Sequence, residues 1–107
     1  MSEVADLVGS LEGVRRTASG ELAQWRYHGR LVARQLDDMH IVIRADFDYR
    51  DAVLRQFPAT FSVPKRFAKH MMVVADLTAP DAGAIEDALV AAWRLQRAGD
   101  AGSEPGS

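Results

Sequence analysis

The residues best suited to chemistry lie between Phe61 and Val74, in the stretch FSVPKRFAKHMMVV, where Lys65, Arg66 and Lys69 surround one aromatic residue, Phe67. A curved chain end carrying such groups can aim its cations at adjacent phosphates while the ring stacks on a base or wedges into a groove. A second basic row, Arg26, Arg30 and Arg34, recurs upstream at even spacing. The same residue types also have a structural use, because Lys and Arg keep hairpin edges from pairing with other chains and a phenylalanine packs on a core.

Other reactive constellations are missing from the sequence. His28, His40 and His70 are too widely spaced to form a helical pair, and no carboxylate cluster has metal-ligand spacing, so neither a metal nor a cofactor is expected. Asp37 and Asp38 are adjacent carboxylates in a turn-like context, where Asp is favoured for local hydrogen bonding. Ser19 precedes Gly20 without the flanking glycines of a nucleophile elbow, and no glycine-rich loop is present to cradle a phosphate. No catalytic set emerges, and the expectation is a protein that is not an enzyme.

Two β-hairpins are needed to present the basic residues, and the patterning supplies them. Val4, Leu7, Val8 and Leu11 share one helical face, with Ser2 as N-cap and Gly13 as the stop. From Leu22 the period becomes two, with Ala23, Trp25 and Tyr27 alternating with Gln24, Arg26 and His28. His28–Gly29 is a tight turn, Arg30 to Leu36 a returning strand, Asp37–Asp38 the next turn and Met39 to Ala45 a third strand. Asp46 or Asp48 caps a helix that directs Val53, Leu54 and Phe57 inward, and Pro58 ends it. The opening stretch then forms a hairpin with a cationic tip. Asp81 starts a last helix with Ile85, Leu89, Ala92 and Trp93 on one face. Trp25, Tyr27 and Trp93 are read as core residues, because their neighbours keep the same periodicity.

Composition is consistent with one folded domain of 107 residues, 48% hydrophobic and 26% charged. The domain is expected over residues 1–97, with 98–107, AGDAGSEPGS, as a disordered tail because it has little to bury. There is no cysteine, which excludes disulfides and thiolate metal sites. Glu3 and Asp6 stand where a signal peptide carries Lys or Arg, and no apolar run has membrane-spanning length, so a cytoplasmic protein with no membrane contact is expected. The net charge of -2 hides a segregation: residues 13–70 hold eleven Lys and Arg against six acids, whereas both flanks are acidic. A basic centre on a mildly acidic chain suits an anionic partner, although interspersed charge also serves solubility.

The chain resembles the MmcQ/YjbR family of small bacterial proteins. The likeness runs through Leu11-Glu12-Gly13-Val14, Gly29-Arg30-Leu31-Val32-Ala33-Arg34, Val42-Ile43-Arg44, Pro58-Ala59-Thr60-Phe61-Ser62-Val63 and Ala92-Trp93-Arg94, and rests on their order and spacing. It implies an α+β, two-layer fold in which two β-hairpins project as wings, a shape that has prompted a DNA-binding proposal for the family. This sequence departs from the family where a Ser-Trp-Gly segment is usual, reading Thr17-Ala18-Ser19-Gly20. It departs again in the second wing, where Thr-Pro-His-Tyr and Gly-Tyr-Pro-Trp give way to Pro64-Lys65-Arg66-Phe67 and Lys69-His70-Met71-Met72.

The resulting expectation is an α+β fold of helix, three-stranded antiparallel meander, helix, β-hairpin and C-terminal helix. Its first functional reading is a nucleic-acid-binding module for double-stranded DNA, using Arg26, Arg30, Arg34, Lys65, Arg66, Phe67 and Lys69 on the two hairpins. The alternative is a protein or small-molecule interaction domain of undefined ligand, with a second copy of itself or another protein as partner.

Overall fold

The computed structural model describes residues 2–102. Its first element is helix α1 (Ser2–Ser10), which buries Val8 and packs Val4 and Leu7 against the core. The chain turns through Gly13, whose φ of 79° lies in the left-handed region that glycine reaches without strain. A Cβ there would meet the Tyr27 ring at 2.6 Å, so the turn needs glycine for space as well as conformation.

Four strands follow in sequence, β1 (Val14–Ser19), β2 (Leu22–Tyr27), β3 (Arg30–Gln35) and β4 (His40–Arg44), each antiparallel to the last. Helix α2 (Phe47–Gln56) then leads to a short strand β5 (Phe61–Ser62) and to β6 (Met72–Asp76). The sheet order is β1-β2-β3-β4-β6-β5, with β6 antiparallel to both β4 and β5. Helix α3 (Ala82–Gly102) completes the α+β architecture.

One face of this sheet carries the main core. Ala23, Trp25, Ala33, Ile41, Ile43, Val73 and Ala75 point to it and meet Ile85, Ala88, Leu89 and Ala92, which recur at helical spacing along α3. Full burial of a large aliphatic side chain contributes about 1.5–3 kcal/mol, so this layer supplies most of the drive to fold. Asp46 caps α2 by accepting the Tyr49 amide at 2.7 Å, and the helix stops one residue before Pro58, at the C-cap Phe57. Thr60, buried beneath the start of α3, donates its hydroxyl to Asp81 at 2.6 Å. The Trp93 indole donates to the Glu12 carbonyl at 2.8 Å, tying α3 to the turn after α1.

Two expectations are corrected. The meander has four strands, because Val14–Ser19 pairs with β2 along its whole length despite exposing nearly every side chain. An edge strand of this kind takes its order from ladder hydrogen bonds and offers no alternating apolar face to read. Of the stretch expected as a tail, 98–102 belongs to α3 and 103–107 lie outside the described residues. The basic segment is not an open tip: Lys65–Phe67 forms one 3-10 turn folded back against the sheet. Among the described residues, no helix is long and apolar enough to cross a membrane.

Candidate nucleic-acid interface

The candidate residues lie mostly on the sheet face turned away from the main core. Register places residues directly opposite one another on the same face. Thr17 thus aligns with Gln24, Gln24 with Arg34, Arg34 with Val42 and Val42 with Val74. One step along the first two strands, Arg15 aligns with Arg26. The face is polar and basic over β1–β3 and apolar at the middle of β4 and β6, where Val42 meets Val74 between the His40–Asp76 and Arg44–Met72 pairs.

That apolar part is covered by Phe67, which is 8% exposed and packs in a second cluster with Val42 and Val74, flanked by Leu36, Val63 and Met72. Its ring carries two cations: the Arg66 guanidinium carbon lies 4.9 Å and that of Arg34 5.6 Å from the ring centroid. Each such contact is worth about 0.5–1 kcal/mol at an exposed site and also limits where the side chain points. Phe67 consequently links the two basic stretches, bringing Arg34 of β3 and Arg66 of the 3-10 turn to one ring.

The turn is held from the side by Arg50 of α2. Its Nη1 donates to the carbonyls of His70 at 2.8 Å and Ala68 at 3.2 Å, with a longer bond of 3.4 Å to Phe67. Nη2 donates to Ala68 as well, at 3.2 Å, and the guanidinium lies 4.8 Å above the Phe47 ring. A planar fork suits such convergent carbonyls in a way an ammonium does not. With its backbone held by this arginine and its ring buried, the segment leaves Lys65, Arg66 and Lys69 exposed.

The expected site residues do not all converge. Arg26 and Arg34 share the open face, and Lys65, Arg66 and Lys69 lie on the segment folded across it. Phe67 is buried and its ring is not available to a base. Arg30 stands on the opposite face. The β2–β3 register jumps between Trp25 and Arg26, so that Trp25 pairs with Ala33 but Arg26 pairs with Leu31. The extra residue, Val32, is a β-bulge that reverses the alternation of β3. The bulge brings Arg34 onto the face of Arg26, whereas Arg30, paired with Tyr27 across the two-residue turn, points toward α3, where its Nη1 would lie 3.0 Å from a Cβ built on Gly99. Buried Gln96 of α3 donates to the Leu31 carbonyl at 2.5 Å within the bulge.

Two residues of consequence are not singled out by spacing. Arg15 belongs to the open face, and no described residue forms an ion pair or hydrogen bond with it. Arg50 is visible only as one more helix charge. The paired charges of β1, Arg15-Arg16, would have signalled a strand only if their neighbours had been apolar.

Acidic groups on this face collect at its other end. His40 aligns with Asp76, and its Nδ1 lies 2.8 Å from Asp37 Oδ1. The Met39 amide and then His40 lower the pKa of Asp37 below the usual carboxylate value. The Thr78 hydroxyl and amide do the same for Asp76. Both carboxylates are thus held ionised by local donors. Among the described residues no group of three ligands able to hold a metal ion occurs.

A separate groove of about 450 Å³ runs between α2 and α3, lined by Tyr49, Asp87, Val90, Ala91 and Arg94. Burial, then the Asp87 charge, pushes the Tyr49 phenol upward, so it remains a neutral donor there. In comparisons with known proteins, no family model, no curated protein and no solved structure matches this chain.

Proposed function

We propose that this chain is a non-enzymatic nucleic-acid-binding module that meets the phosphate backbone of double-stranded DNA with the open face of its sheet. The observation that carries the reading is the gathering of Arg15, Arg26, Arg34 and Arg66 on that face with no carboxylate partner among the described residues. Lys65 and Lys69 extend the positive surface at its rim. In this reading the β2–β3 and β5–β6 hairpins serve as the two wings that the MmcQ/YjbR resemblance implies. Phe67 contributes from beneath, as a platform for two guanidinium groups.

Backbone contact of this kind is sensitive to salt, each neutralised phosphate adding about -0.9 to the slope of log affinity against log salt. Fluorescence anisotropy with a duplex across a salt series tests the reading. Arg34→Gln should reduce the slope by about one and weaken all sequences alike. Failure of any duplex to bind at about 50 mM salt defeats the proposal.

A second reading, an interaction domain for a small molecule, is favoured by the α2–α3 groove, whose volume of about 450 Å³ and mixed lining of Tyr49, Val90 and Arg94 suit a small ligand. A thermal-shift screen against metabolites, repeated with Val90→Trp to fill the groove, tests it. No stabilising compound, or one whose effect survives the filled groove, rejects it.

A further inference from the structure

A cavity of about 220 Å³ opens on the sheet face beside the β2–β3 turn, lined by Gly13, Arg15, Thr17, Arg26, His28 and Gly29. At about 30 Å³ per water it has the volume of some seven water molecules, room for a phosphate group and part of what is attached to it. Among the described residues the lining holds two guanidinium groups, a hydroxyl and an imidazole, and no carboxylate.

Arg15 and Arg26 are directly opposed across the β1–β2 ladder. Like charges in that position are destabilising unless something of opposite charge lies between them. Among the described residues Arg26 is held in place by neutral acceptors alone, donating from Nη1 to the Gly29 carbonyl at 3.1 Å and from Nη2 to Gln24 Oε1 at 3.4 Å. Its geometry is therefore set while its charge is not neutralised. Arg15 makes no ion pair or hydrogen bond among the described residues, so its donors are available.

The His28–Gly29 turn closes the cavity at one end. Both residues have positive φ, 48° and 82°, the conformation of a tight two-residue hairpin turn, and the His28 ring stacks on Tyr27 with centroids 4.0 Å apart. The imidazole also lies 3.3 Å from where a Gly13 Cβ would stand. Two chain segments, 13–17 and 26–29, thus meet around the two arginines.

We infer that this cavity is a cradle for a dianionic phosphate monoester. Two guanidinium groups match its two charges, each able to donate to its oxygens, and the Thr17 hydroxyl supplies a further donor. The group comes either from the phosphorylated end of a nucleic-acid strand or from a free mononucleotide. The inference rests on the reading of this face as a phosphate-binding surface and assigns it one discrete site.

The test is titration of the whole chain with inorganic phosphate, followed by amide chemical shifts. The Arg15, Thr17, Arg26, His28 and Gly29 signals should move together. Arg15→Gln should weaken the binding about tenfold, the loss of one charge-assisted contact. Arg16→Gln is the control: it removes the same charge from the neighbouring position, aligned with Trp25 on the other face, and should change the affinity less than about twofold. Equal effects of the two substitutions, or shifts centred elsewhere, overturn the cradle.

A 5′-phosphorylated oligonucleotide that binds more tightly than its 5′-hydroxyl counterpart, with the difference abolished by Arg15→Gln, identifies a strand end. A mononucleotide that binds in an Arg15-dependent way, without such a difference between oligonucleotides, identifies the free ligand. Duplex binding that depends on salt but leaves these amides unmoved by phosphate retains the nucleic-acid reading and rejects the cradle. Phosphate localised here with no duplex binding at about 50 mM salt does the reverse.

Discussion

Replacing Arg50 by alanine tests how the basic segment is held. The guanidinium reaches three consecutive-region carbonyls, Phe67, Ala68 and His70, at 2.8–3.4 Å, and covers the Phe47 ring at 4.8 Å. A hydrogen bond from a charged donor contributes about 1.5–3 kcal/mol when its partner is left unsatisfied by truncation. The bonds share two nitrogens and the side chain is only half-buried, so they do not add fully. Arg50→Ala should therefore cost about 2–3 kcal/mol, including the lost ring contact. For a domain of this size that is a fall in Tm of about 10–20 °C. Arg50→Lys should recover less than half of the loss, since an ammonium cannot span the same carbonyls. Calorimetry gives the magnitude, and hydrogen exchange locates it: the Phe67, Ala68 and His70 amides, bonded within the turn to Pro64, Lys65 and Phe67 carbonyls, should lose protection first. The exposed Arg55 on the same helix is the comparison. If Arg50→Ala lowers Tm no more than Arg55→Ala, the latch reasoning is wrong.

Phe67→Ala should destabilise the fold by about 3 kcal/mol, because it empties the second cluster beneath Arg34 and Arg66, and urea unfolding measures it. An unchanged midpoint with weakened DNA binding would instead mean that the ring acts on the ligand directly. Asp37→Asn addresses pH. The folded state lowers the Asp37 pKa, so its contribution is fully present above the unfolded value near 3.9 and disappears as pH falls through the folded one. As pH falls below about 4 the wild type should lose more stability than the variant does, as read from urea midpoints; parallel losses would dismiss the Met39 and His40 bonds as the cause.

Local chemistry made much of this fold legible. The apolar spacing of α3, the Asp46 cap, Pro58 and the His28–Gly29 turn are set by residues within a turn or two of one another, and each element stands where that chemistry puts it. Trp25 in the core was readable for the same reason. Strand β1 was not, because its order comes from pairing with β2 and its sequence, VRRTAS, has no buried face. The helical course of 98–102 likewise continues from α3 against a local composition that disfavours it.

The basic residues divide in the same way. That this chain concentrates positive charge in its centre, around Lys65, Arg66 and Lys69, follows from composition alone. Which of those charges share a surface was decided by two non-local events. A one-residue bulge at Val32 reversed β3 and brought Arg34 onto the face of Arg26, while Arg30, paired with Tyr27 across the turn, stays on the other face. Folding of the 3-10 turn onto Val42 and Val74 buried Phe67 and brought Arg66 to the ring that Arg34 also covers. A period of two predicts sides only while the ladder is regular, and a loop's destination depends on apolar surface contributed by strands distant in sequence.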